Sequence, residues 1–289
     1  MMTLKEKIKS RKFIVTAEIG PPKGIDVKSQ LEEAELLKSR VDAINVTDSQ
    51  SAVMRLGSLA VSRLLKEKGI EPVYQLTCRD RNRIALQSDA LSAAVLGIEN
   101  ILVLTGDHPL RGDHPQAKPV FDLDSVQLIG ALRMMEAGRD LADKELKGSP
   151  RFCIGAVVNP GADPIEPELI KFEKKINAGA EFFQTQGVYD VEAFAKFAEK
   201  VQHFDTCIIA GIILIKSPEM ARFMNKNVAG IFVPDKLIEE IESAADRQQK
   251  AVEIAARTIK ELKGLVQGVH IMSLGWNKLV PQILDKAGL

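Results

Sequence analysis

Eight short β-branched runs, each followed by a longer segment of helical period, constrain this chain more than any other feature. That alternation is the signature of βα units wound around a parallel sheet. The runs place strands at Phe13–Ile19, Ala43–Thr47, Pro72–Thr77, Asn100–Thr105, Phe152–Val158, Glu181–Gln186, Cys207–Ile213 and Gly268–Met272. Helices are expected near Val27–Ser39, Ser58–Lys68, Arg81–Leu96, Ser125–Glu136, Glu166–Ala178, Val191–Val201, Pro218–Asn225 and Trp276–Lys286. Gly69, Gly97 and Gly179 stand just past helix ends, and Asp80, Ser125 and Asp190 suit N-caps. Eight such units close into a (β/α)8 TIM barrel. An open doubly wound sheet also alternates, but it announces itself with a glycine-rich phosphate turn after its first strand. Here that turn reads Gly20-Pro21-Pro22-Lys23-Gly24 and lacks the pattern.

One segment exceeds the plan. Over Lys236–Lys263 the apolar residues Ile238, Ile241, Ala245, Val252, Ala255, Ile259 and Leu262 keep a helical spacing, so an extra helix is expected before the eighth strand. Packing of that stripe on the barrel is favoured over a dimer or partner surface. No Gly/Ser or Pro-rich linker divides the chain, and residues 1–289 are expected to form a single catalytic domain.

Lysine plus arginine and aspartate plus glutamate both number 39, so no global field draws the protein to nucleic acid or to an acidic membrane. The three cysteines, Cys78, Cys153 and Cys207, are odd in number and each lies in an apolar run, which argues against a disulfide framework or a zinc cluster. Apolar runs are of strand length, no membrane span is expected, and the first residues lack a signal-peptide core. A cytoplasmic location follows as the expectation.

In barrels of this kind the active site is built from the loops after the strands. Strand one carries Glu18 just before the stiff Pro21-Pro22 loop. An ion-paired or capping carboxylate and a general acid with a pKa raised by apolar surroundings both fit that position. Strand four runs into Thr105-Gly106-Asp107-His108, placing a second acid at the mouth, where a loop carboxylate accepting backbone N–H bonds is the plainer role. The neighbours His108, Asp113 and His114 supply no recognised metal spacing, and no metal is expected. In strand six the pleat sends Gln184 and Gln186 to one face and Thr185 to the other. Two amides there either bind a ligand or satisfy one another. Arg79, Arg81 and Arg83 crowd a helix N-terminus, either as solvated first-turn residues or to meet phosphate or carboxylate; a cation there is unfavourable unless an anion is present, which favours an anionic ligand. Cys78 has no paired histidine and is expected to be a packed thiol, while His270, inside an apolar strand, is expected to be a satisfied core histidine.

Four blocks then carry a family likeness over essentially the whole chain. They are Val15-Thr16-Ala17-Glu18-Ile19-Gly20-Pro21-Pro22, Ile44-Asn45-Val46-Thr47-Asp48, the stretch Gln75–Gln87 continuing to Leu102–Asp107, and Gly179–Asp190 with Gln184-Thr185-Gln186. The chain resembles the catalytic barrel of flavin-dependent methylenetetrahydrofolate reductases. The resemblance implies a flavin, FAD by family default with FMN open, and reduction of 5,10-methylenetetrahydrofolate to 5-methyltetrahydrofolate. By resemblance, Glu18 matches the acid that helps open the substrate's imidazolidine ring to an iminium ion. Asp107 matches the carboxylate beside flavin and pterin, and Gln186 the amide that binds folate. Thr47 and Lys175 match flavin contacts, Lys175 suited to a phosphate oxygen. Gln75 stands where many relatives carry a flavin-site histidine, and the surroundings of Val157, Glu168 and Lys171 also depart from the pattern.

The resemblance further implies electrons from NADH or from a protein donor such as an iron-sulfur subunit, because the chain has no iron-sulfur ligand pattern of its own. An oligomer or complex is therefore expected. The 289 residues contain no counterpart of the regulatory C-terminal domain of eukaryotic relatives, so control by it is not expected. Two other readings stay open: a flavin-free pterin-binding barrel, acting as a methyltransferase or a direct nicotinamide-dependent reductase, and a subunit of a larger electron-transfer complex.

Overall fold

The computed structural model describes residues 2–289. Its strands are β1 (Ile14–Ile19), β2 (Ala43–Val46), β3 (Pro72–Thr77), β4 (Asn100–Leu104), β5 (Cys153–Val158), β6 (Phe182–Gly187), β7 (Cys207–Ile213) and β8 (Gly268–Met272), closed into one parallel barrel in sequence order. The closing pair aligns Thr16 of β1 with His270 of β8. The helices are α1 (Leu4–Lys9), α2 (Lys28–Leu37), α3 (Ser58–Glu67), α4 (Arg83–Val95), α5 (Ser125–Glu136), α6 (Glu166–Ala178), α7 (Val191–Val201), α8 (Pro218–Asn227), α9 (Asp235–Glu242), α10 (Arg247–Leu262) and α11 (Val280–Ala287). The expected (β/α)8 architecture is the observed one.

Strand alternation divides the residues between two environments. Outward-facing Val15, Ile44, Tyr74, Ile101, Ile154, Phe183, Ile208 and Val269 join the inner faces of the helices in one continuous core. Inward-facing residues change character along the barrel axis. At the N-terminal end Ile14, Ala43, Val73, Cys153, Phe182 and Cys207 form an apolar layer with Leu4 of α1. One and two pleats further on stand Thr16 and Glu18 in β1, Asn45 in β2 with Thr47 just past its end, Gln75 and Thr77 in β3, and Gln184 and Gln186 in β6. The lower layer is what a barrel core demands. The polar upper residues need partners or a ligand, since an unpaired buried polar group costs about 1–3 kcal/mol.

The stripe over Lys236–Lys263 forms two helices rather than one. Ser243 ends α9, and Asp246 caps α10 by accepting from the backbone N–H groups of Gln248 and Gln249. Ile238, Ile241, Val252, Ala255, Ile259 and Leu262 are all buried against the barrel or against α8, so packing uses the stripe and only Ala245 is left exposed. Two expected N-caps move by a residue or two: Asn82 caps α4 in place of Asp80, and Asp124 caps α5 in place of Ser125, whereas Asp190 caps α7 as expected. No helix among the described residues is long and apolar enough to cross a membrane.

Candidate active site

At the C-terminal mouth a cavity of about 470 Å3 is lined by Glu18, Thr47, Gln75, Asp107, Lys175, Gln184 and Gln186. These are the seven residues singled out from the sequence, and the fold brings all of them to one well. It also brings His270, Thr77 and Thr185 there, together with apolar walls from Leu102, Leu104 and Val157.

Glu18 is largely buried, and its Oε2 lies 3.7 Å from His270 Nε2. That is beyond hydrogen-bond length but within range of an electrostatic contact. His270 Nδ1 is 2.9 Å from the Thr16 hydroxyl. The histidine is buried, as expected of a core position, but only one of its ring nitrogens has a hydrogen-bond partner among the described residues and the other faces the acid. Asp107 is exposed at the rim and makes no side-chain hydrogen bond among the described residues. It is aimed by Gly106, whose φ of +90° is a left-handed conformation and whose Cβ would come within 3.0 Å of Arg79 Cβ. Only glycine meets both conditions.

The polar groups on the β2, β3 and α6 side are short of partners. The Thr47 hydroxyl is buried without any. Gln75 donates and accepts no side-chain hydrogen bond among the described residues, although its backbone carbonyl accepts from Ser58. Lys175 is 3 % exposed. Its Nζ donates to the Val157 carbonyl at 2.5 Å. Burial lowers its pKa to about 8, which nearby Glu168 only partly opposes. A desolvated ammonium with one neutral partner, beside an orphaned hydroxyl and a free amide, fits a ligand that carries an anion and a heteroatom-rich ring. A flavin nucleotide has both.

The β6 residues depart from simple alternation. Pairing with β7 shifts register between Gln184 and Gly187. The Thr185 hydroxyl accepts from Gly211 N at 2.9 Å and donates to the Gln186 carbonyl at 2.7 Å, so Thr185, expected on the opposite face, also lines the well. Such irregularities re-aim side chains near active sites. Gln186 keeps an amide nitrogen with no protein acceptor among the described residues, while its Oε1 accepts from Gly187 N. Gln184 sits at the floor, its amide paired with Asn45 and Thr16 and leaving no free N–H for a ligand.

The arginine cluster is not an anion site. Arg79 pairs with Asp80, Arg81 with Asp48 and Asp89, and Arg83 with Asp122. The chain's own carboxylates are the anions that the crowded cations required. Burial works against the charge on Arg81, and Asp48 more than restores it. Asp48 in turn accepts from the backbone and hydroxyl of Thr77, tying the β2 and β3 loops beside the well. Cys78 is a packed thiol, pushed up to about 12 by burial. No group of three or more histidine, cysteine or carboxylate side chains among the described residues is placed to hold a metal ion.

Fold and site together define a closed parallel barrel with a polar well at the C-terminal ends of its strands. The sequence profile of the family described as methylenetetrahydrofolate reductase matches residues 3–288, and the chain belongs to that family. A relative named methylenetetrahydrofolate reductase 2, from Schizosaccharomyces pombe, is 27% identical over 257 residues, covering 80% of this chain and 38% of the relative. The 5,10-methylenetetrahydrofolate reductase of Pectobacterium carotovorum is 29% identical over 203 residues, covering 68% of this chain and 60% of its own length. The chain thus spans between about two fifths and three fifths of these curated relatives. Among solved structures, a Clostridium thermocellum protein described as binding two copies of 5-methyl-5,6,7,8-tetrahydrofolic acid shares the fold with a TM-score of 0.67 at 19% identity, covering 99% of this chain and 100% of that one. A 2,3-dimethylmalate lyase shares the barrel at a TM-score of 0.55 and 10% identity, covering 100% of this chain and 89% of the lyase.

Proposed function

We propose that this chain reduces 5,10-methylenetetrahydrofolate to 5-methyltetrahydrofolate with a flavin held in the barrel mouth. The observation that carries the reading is the division of the well in a member of this family. Glu18, backed by His270, occupies one side, and the under-partnered Thr47, Gln75 and Lys175 occupy the other. A folate ligand is also in keeping with the ligand described for the Clostridium thermocellum neighbour.

When bound, a flavin supplies the hydride. Lys175 offers its charge to a phosphate oxygen, and the well continues along α6 past Lys171 to Glu168, about two helical turns, which favours FAD over FMN. Thr47 and Gln75 offer hydrogen bonds to the ring system. Gln186 presents its free amide nitrogen to the folate. Glu18 in its acid form donates a proton to the substrate nitrogen that leaves as the imidazolidine ring opens, and the carboxylate that remains faces His270. Asp107, a fixed negative charge at the rim, favours the cationic iminium form of the substrate. Leu102, Leu104 and Val157 keep bulk water from that ion.

Electrons reach the site from NADH or from a protein donor such as an iron-sulfur subunit, in a cytoplasmic oligomer or complex. The test is extraction of the bound cofactor, then anaerobic assay with NADH, NADPH and reduced ferredoxin. A colourless protein that takes up neither FAD nor FMN removes the reading and leaves a flavin-free pterin barrel. In a working enzyme Glu18→Gln is expected to keep the flavin and to slow folate reduction by about 10²–10⁴-fold; undiminished turnover takes Glu18 out of the acid's role.

A further inference from the structure

Beneath the well a chain of buried side chains crosses the barrel. Asn45 Nδ2 donates to Gln184 Oε1 at 2.7 Å, and Gln184 Nε2 donates to Asn45 Oδ1 at 3.1 Å and to Thr16 Oγ1 at 3.4 Å. The Thr16 hydroxyl meets His270 Nδ1 at 2.9 Å. His270 Nε2 then faces Glu18 Oε2 at 3.7 Å. Four strands contribute, and Thr16, Asn45, Gln184 and His270 are all buried.

The direction of these bonds follows from counting donors. Gln184 Nε2 carries two hydrogens and has two acceptors, Asn45 Oδ1 and Thr16 Oγ1. Turning both amides over would place Gln184 Oε1 against Thr16 and leave one buried N–H of Gln184 without an acceptor, a state that protein interiors avoid. Because Gln184 presents an N–H and not an acceptor, the Thr16 hydrogen has one partner within reach among the described residues, His270 Nδ1. A neutral His270 therefore carries its proton on Nε2, toward Glu18.

We infer that the Asn45–Gln184 amide pair is a positioning device that fixes the tautomer of His270 and, through it, which oxygen of Glu18 is protonated. An Nε2–H facing Oε2 across 3.7 Å favours negative charge on that oxygen and leaves the acid proton on Oε1. After transfer, the same N–H faces the new carboxylate. Gln184 thus acts on the reaction through Thr16 and His270, while Gln186, two residues on, keeps its free amide for the ligand. The catalytic part of the inference rests on the acid role proposed for Glu18; the tautomer part does not.

The test uses the full chain labelled with [15N]histidine and read by long-range 15N–1H correlation at about pH 9, where an imidazole is uncharged. Of the four histidines, His270 is assigned with His270→Asn. Wild type is expected to show His270 as the Nε2–H form alone. In Gln184→Glu the Nδ1–H form should rise to about a tenth or more of the population, because the carboxylate takes the Thr16 hydrogen and leaves the hydroxyl to accept from His270. Oxidation of the reduced enzyme by 5,10-methylenetetrahydrofolate should slow about tenfold, one decade of the two to four that a positioned acid supplies. Thr16→Val removes the hydroxyl that donates to Nδ1 and should release the same Nδ1–H form, so a poorly folding Gln184 variant does not end the test. An Nδ1–H form in wild type, or an unaltered tautomer in the folded variants, overturns the inference and leaves the proposed activity standing. A wild type with the expected tautomer and no folate-dependent redox activity overturns the proposed activity and leaves the tautomer assignment.

Discussion

Replacing Lys175 by Met should stabilise the ligand-free protein while weakening the FAD binding proposed for the well. The side chain is almost fully buried, and its pKa falls from 10.5 to about 8, mainly through burial. A lysine whose folded value lies below its unfolded value weakens the fold wherever it is charged. The cost is complete below about pH 8 and disappears as pH rises toward 10.5, because over that window the unfolded chain binds more protons than the folded one. The difference, 10.5 − 8 = 2.5 pKa units, corresponds to about 3 kcal/mol at pH 7. At pH 10 the remaining cost is about 1 kcal/mol. Lys175→Met also gives up the bond to the Val157 carbonyl, worth roughly 1 kcal/mol and insensitive to pH. The useful quantity is therefore the difference between two pH values. Urea unfolding of flavin-free protein should show the variant's advantage shrinking by about 2 kcal/mol from pH 7 to pH 10. FAD affinity at pH 7 should move the other way, falling about tenfold to a hundredfold for loss of a charge-assisted bond. An advantage of equal size at both pH values would refute the claim that Lys175 is held in an unfavourable charged state, and unaltered FAD binding would refute its phosphate role.

Asp107→Asn should raise the flavin reduction potential and weaken folate binding, since a negative charge opposes electron gain and favours a cation; an unmoved potential in a redox titration would place Asp107 away from the ring. Thr47→Val removes a buried hydroxyl that has no protein partner, so thermal stability should hold or rise slightly while FAD dissociation titrations show roughly three- to tenfold weaker binding. Gly106→Ala should cost about 1–3 kcal/mol in chemical denaturation, from the left-handed backbone and the contact with Arg79; full stability would mean that the Asp107 loop is free to shift.

Much of the barrel was legible because strand residues that face helices on one side and a core on the other are apolar and β-branched. Loss of order at the ends was less visible. Thr47 and Thr105 continue the runs that end at Val46 and Leu104, and side-chain type does not mark where pairing stops. The stripe over Lys236–Lys263 read as one helix because its phase survives the break at Ser243–Asp246; the capping aspartate was the overlooked signal. The N-terminal α1 was missed for its brevity, although Thr3 and Glu6 spell the capping box that starts it.

The site divides along the same line. Polar residues at strand ends were visible, since Glu18, Asp107 and Gln186 stand next to loops in any barrel of this kind. What they touch was not. Asp48 and Asp122, which pair with Arg81 and Arg83, lie 33 and 39 residues away, so a cluster that suggested an anionic ligand proved to be internally neutralised. His270 looked like a core residue because only closure of β8 on β1 puts it beside Thr16 and near Glu18. The inward positions of β1, β2, β3 and β6, running from apolar to polar along each strand, carried the one available hint that the floor of the well was built as a layer.

The apolar layer below that floor governs traffic. Phe182 lies so close over Gly155 that a methyl group there would come within 2.2 Å of its ring, and Leu4 of α1 is fully buried in the same cluster. The barrel is stoppered at its N-terminal end and open at the other, so whatever the well holds enters and leaves by one doorway. A molecule lodged over the well therefore bars the next until it has left by the way it came.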